Sequence, residues 1–166
     1  MILGMTTATY TLVHVILSLV GIASGFVVLY GLLTAKRLDG WTGLFLATTL
    51  ATSATGFGFP VDHLLPSHKV GILSLTVLVV TILARYVLRL AGAWGRVYVI
   101  GAAIALYLNV FVAVVQAFEK VPSLKAIAPT QSEPPFLVAQ LVVLVLFVGL
   151  TVVAARKFRI EPMRTA

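Results

Sequence analysis

The sequence predicts an all-α integral membrane protein, a single transmembrane domain over residues 1–166 built as a bundle of five spanning helices. Three observations carry that prediction. Hydrophobic residues make up 60% of the chain and charged residues 10%, where a soluble domain carries about 25% charged residues. Five apolar stretches, residues 10–35, 41–59, 67–90, 94–118 and 136–158, are each near or above the roughly 20 residues needed to cross about 30 Å of hydrocarbon. The basic residues gather toward the ends of those stretches, at the depth of lipid headgroups.

Composition also excludes chemistry. The chain has no cysteine, so disulfides, thiolate metal sites, cysteine nucleophiles and c-type haem attachment are ruled out, and soft-ligand chemistry falls to histidine or methionine. A net charge of +7 would suggest nucleic acid in a soluble chain, but bases at the ends of apolar segments meet lipid, so no nucleic-acid partner is expected. Residues 1–7 lack a basic n-region and a cleavage site follows nowhere nearby, so the first segment is expected to stay in the mature protein.

The first segment carries Tyr10, His14, Ser18, Gly21 and Gly25 at steps of three or four, which puts them on one helix face. That stripe is expected to pack inward, with Gly21 and Gly25 as a small-xxx-small pair that lets a neighbour approach closely. After the polar link 36–40 the second segment starts at Trp41 and is rich in Thr, Ser, Ala and Gly, the composition of a helix in the middle of a bundle. Gly56, Gly58 and Pro60 should end it, and Ser67 is the expected N-cap of the third segment. The third segment carries Arg85 and Arg89 toward its end, with Arg85 expected to snorkel outward, burial with a partner being the alternative. The fourth holds Asn109 and Gln116 on one face. The link 119–135 contains Pro122, Pro129, Pro134 and Pro135 and should be irregular, and the fifth segment is aliphatic apart from Gln140 and ends in a basic anchor.

Orientation follows from the bases. With the N-terminus outside, Lys36, Arg37, Arg85, Arg89, Arg96, Arg156, Lys157, Arg159 and Arg164 fall inside and only Lys69, Lys120 and Lys125 fall outside, which accounts for all 12. The N-terminus is expected outside and the C-terminus in the cytoplasm. The runs Leu38-Asp39-Gly40-Trp41-Thr42, Thr55-Gly56-Phe57-Gly58-Phe59-Pro60, Leu65-Pro66-Ser67-His68 and Ala128-Pro129-Thr130-Gln131-Ser132-Glu133-Pro134-Pro135-Phe136 resemble a family of small bacterial polytopic inner-membrane proteins of uncharacterised function. That resemblance implies a bacterial inner-membrane location and carries no chemistry with it.

The threading returns all three histidines to the outer face. His63 and His68 lie in the link between the second and third segments beside Asp62, and His14 lies about one turn inside the first. Imidazole serves zinc, copper, iron and nickel alike, so His14, His63, His68 and Asp62 form a candidate metal set, or two facing histidines a candidate haem b site. Tyr10, Ser18, Thr52, Thr55 and Gln116 are expected to line the same outer pocket. The function this suggests is haem or transition-metal binding in electron transfer or metal handling, with lipid, other membrane subunits or quinone as partners. No catalytic residue stands out. Two plainer readings stay open: His63 and His68 as solvated loop residues with His14 bonded to a neighbouring helix, and the chain as an accessory subunit of a membrane complex or a small transporter. The absence of a carboxylate within the apolar stretches argues against proton-driven transport.

Overall fold

The computed structural model describes residue 2 and residues 4–59 and 66–158, which are helical apart from turns, short links and an isolated bridge between Ile2 and Met5. The helices are α1 (Thr7–Leu33), α2 (Asp39–Gly56), α3 (Pro66–Ile82, continued by a π-helical turn Leu83–Val87), α4 (Trp94–Lys120), the short α5 (Pro122–Ile127) and α6 (Pro134–Lys157). Four of them, α1, α3 with its π turn, α4 and α6, are long and apolar enough to cross a membrane, the signature of a multi-pass membrane protein. The second predicted span is a helix of 18 residues but falls outside that group. Its run of hydroxyl and small residues lowers its hydropathy while leaving it helical.

Local chemistry sets the ends. Thr6 caps α1 by accepting from the Thr9 N–H, which starts the helix three residues before the apolar run. At its other end the Lys36 N–H returns to the Gly31 carbonyl at 2.8 Å, with Ala35 left-handed at φ 56°. Pro66 opens α3, where its fixed φ suits a first turn and its missing N–H costs nothing, so Ser67 lies inside the helix and is not its cap. The same logic places Pro122 and Pro134 at the starts of α5 and α6. The link expected to be irregular therefore contains a helical turn and a half.

Side-chain contacts fix the threading. Tyr10 meets Thr55 and Gly25 meets Phe45, so α1 and α2 are antiparallel; Phe118 meets Phe136 and Tyr98 meets Phe158, so α4 and α6 are too. α4 is the hub, touching α1, α3, α5 and α6. Around it Phe45, Leu78, Tyr98, Val99 and Leu106 are almost fully buried. α6 turns Leu141, Val145 and Val148 outward, more than half exposed, as expected of a helix facing lipid.

Arg85 takes the second of its two expected courses. Instead of snorkelling, it is buried: its guanidinium donates to Asp39 Oδ1 at the start of α2 and lies 4.9 Å from the Tyr98 ring centre and 5.5 Å from that of Tyr86. The side chain is 6% exposed against 70% for Asp39, so the acid reaches in from the surface to satisfy a charge held inside. Snorkelling would have left Asp39 without this partner and the Tyr98 face without a cation.

Candidate functional site

At the end of the bundle away from Arg85, the N-terminal parts of α1 and α3 and the C-terminal parts of α2 and α4 surround a cavity of about 620 Å³. Its walls combine apolar side chains, including Val15, Leu19, Leu108 and Val112, with a comparable number of polar ones, among them His14, Ser18, Thr52, His68, Asn109 and Gln116. Phe57 and Phe59 add aromatic surface, and Glu119 and Lys120 lie at the end of α4. Its volume falls in the range of small-molecule pockets, and its lining offers both apolar surface and polar points.

α1 and α2 hold His14 in place. Its Nδ1 lies 2.8 Å from Thr55 Oγ1, and the Thr55 hydroxyl proton is directed to the Ala51 carbonyl oxygen at 2.7 Å. Nδ1–H is thus the donor to Thr55, which assigns the ring's lone pair to Nε2. Phe59 stands edge-on to the imidazole at 5.3 Å between ring centres and also to Tyr10 at 5.1 Å. Tyr10 donates to the Thr55 carbonyl oxygen at 2.8 Å. Thr55 therefore ties both aromatic side chains of the stripe to the end of α2.

The polar residues expected at the pocket divide into two groups. Ser18, Thr52 and Gln116 lie on the cavity wall, whereas Tyr10 and Thr55 stand behind it as the frame that orients His14. His68, buried and packed 5.4 Å from Phe57, reaches the same cavity from α3. Asp62 and His63 lie outside the described residues. Among the described residues no three His, Cys, Asp or Glu side chains gather as a metal-binding group, so a bare-ion site built from His14, His63, His68 and Asp62 has two of its four members within the described cavity.

Other features depend on tertiary contact. Ser53 and Ser74 bond at 2.9 Å between α2 and α3, and Asn109 donates to Thr49 at 3.0 Å, closing the cavity toward the bundle centre. Gln116 donates to Glu119 at 3.2 Å. A helical pattern of hydroxyls in the second segment was the available signal for Ser53 and Thr49, without naming their partners. No family model, curated relative or solved structure matches the chain.

Proposed function

We propose that this is a five-span protein of the bacterial inner membrane, with its N-terminus outside, that binds a small amphipathic molecule in the cavity between α1, α2, α3 and α4. Support for the fifth span comes from α2 itself. It runs beside α1 from Thr55 near one end to Leu38, which packs on Gly31, at the other, and its 18 residues extend about 27 Å. A helix that follows its spanning neighbours along their length crosses the same thickness. Among the described residues Lys36, Arg37, Arg85, Arg89, Arg96, Arg156 and Lys157 belong to one end of the bundle and Lys69, Lys120 and Lys125 to the other, which supports the orientation.

The cavity carries the binding reading: a half-open pocket that sets apolar surface beside several polar points suits a ligand with an apolar body and a polar head. The test is to purify the full chain in mild detergent, extract it with organic solvent and identify bound small molecules by mass spectrometry, beside an Ala113→Phe variant that fills the wall. One compound at near-stoichiometric amount in the wild type and lost from the variant is the expected result. Equal small-molecule content in both would refute the reading.

A second reading has its own observation. His14 and His68 reach one cavity from separate helices, and Thr55 orients His14 as outer partners orient ligating imidazoles. Haem brings four nitrogens of its own and needs only one or two protein ligands, so this pair suits haem better than a bare ion, which takes three or four. The absorption spectrum of the same preparation separates the two. A Soret band removed by His14→Ala selects haem, and its absence leaves the first reading.

A further inference from the structure

The atoms of the cavity wall say what kind of polar head fits. Nε2 of His14 carries the lone pair, accepts no hydrogen bond from the described residues and belongs to a ring that lines the cavity. An acceptor in an apolar wall calls for a donor on the ligand. Thr52, three residues before Thr55 and so on the same face of α2, supplies a second signal. Thr42, Thr48, Thr55, Thr76 and Thr81 send their hydroxyl protons to the carbonyl four residues back, the usual resolution for a helical threonine. Thr52 does not, and its buried Oγ1 has no partner at all. Buried as it stands, that hydroxyl must turn about χ1 to meet a ligand in the cavity that Thr52 lines.

We infer that the cavity recognises a neutral, ring-borne hydroxyl of the phenol or hydroquinone class, which donates its proton to His14 Nε2 and accepts from Thr52. This rests on the cavity being a site for an amphipathic molecule. A charged amine would be the other strong donor, but an ammonium ion is costly inside a bilayer, and Glu119 beside Lys120 gives the rim no net charge to favour one. Phe57 and Phe59 give a flat aromatic ring surfaces to pack against, and Leu19 and Val112 continue apolar cover for a tail.

The test uses the full chain in lipid nanodiscs and two probes, a short-tailed alkyl hydroquinone and its dimethyl ether, which keeps ring and tail but has no O–H. Binding is read by equilibrium dialysis. The wild type should prefer the hydroquinone by about tenfold, the value of one buried hydrogen bond. Thr52→Val, near in shape and removing no internal bond, should weaken both probes severalfold, since the ether oxygen still accepts, and leave the preference for the hydroquinone in place, whereas His14→Phe should bind both probes equally. Equal binding of the two probes by the wild type, with both excluded by Ala113→Phe, overturns the hydroxyl inference while the cavity remains a binding site. Binding of neither probe overturns the inference, and the extraction experiment then decides the cavity reading separately. A Soret band lost in His14→Ala would give Nε2 to iron and overturn the inference as well.

Discussion

Gly25 and Gly21 look equivalent in sequence, and the structure predicts that they are not. A Cβ added at Gly25 would lie 2.5 Å from Leu106 Cδ1 and 2.9 Å from Phe45 Cε2, whereas one at Gly21 would meet Thr48 Oγ1 at 3.3 Å and Thr49 Oγ1 at 3.4 Å. Carbon atoms settle at about 3.5–4.0 Å, so Gly25→Ala must move its neighbours by about 1 Å. Leu106 can turn its terminal methyl, but Phe45 is 0% exposed and has nowhere to go. The change at Gly21 asks for a few tenths of an ångström. Gly149 on α6 has nothing within 4 Å of the added carbon, so Gly149→Ala isolates the gain in helix propensity, about 0.8–1.0 kcal/mol. That gain is common to all three, and the difference between Gly25→Ala and Gly149→Ala is then the overpacking alone, about 1–3 kcal/mol. Reversible unfolding in mixed micelles, followed by circular dichroism, should rank Gly149→Ala above Gly21→Ala above Gly25→Ala. Equal stability for the first and last would refute close approach of α1 to α2 and α4 at Gly25.

Asp39→Asn should cost about 1–3 kcal/mol, because it leaves a buried guanidinium with a weakened partner, and Arg85→Met should cost less since Asp39 is exposed; the reverse order in the same unfolding assay would show that Arg85 is solvated. Glu133, just before α6, is held below the ordinary carboxylate value of 4.5: slight desolvation would raise it, but the Thr130 hydroxyl and N–H and the Ser132 N–H donate to it and prevail. A depressed folded value gives stability that is present at neutral pH and lost as pH falls below about 4.5 through the folded value. Amide exchange at Thr130 and Ser132, corrected for intrinsic rate, should therefore accelerate in acid, and Glu133→Gln should abolish that pH dependence. Reporter fusions should be cytoplasmic after Arg96 and external after Lys125; a cytoplasmic signal at Lys125 would overturn the orientation.

The helices were legible because apolar runs in this chain are long and the breaks between them are made of Pro, Gly and charge. What escaped was anything decided by a partner far along the chain. Hydropathy could not show that α3 would pass into a π turn at Leu83, or that Arg85 would be held by an acid 46 positions away. The stripe from Tyr10 to Gly25 could be read for a simpler reason: polar and small residues on one side of an apolar helix are costly against lipid, so that side faces protein. The same reasoning could not separate the residues that line a cavity from those that frame it. Tyr10 and Thr55 share the stripe's chemistry with Ser18 and Thr52, yet their groups are spent on holding His14 and the end of α2, while Thr52 keeps an unspent hydroxyl.

That division explains how the two ends of the bundle differ. At the basic end the buried charge is matched, with Asp39 and two aromatic faces on Arg85, and the Tyr98 hydroxyl lies 3.3 Å from Thr42. At the other end α1 to α4 leave open volume and, among the described residues, an imidazole nitrogen that accepts no hydrogen bond and a buried hydroxyl without a partner. Filling that volume would have been the cheaper course for stability alone, since packing is what holds helices together in lipid. A chain that packs one end around a matched charge and leaves unmet hydrogen-bonding groups beside a cavity at the other has its tight packing and its open volume at opposite ends.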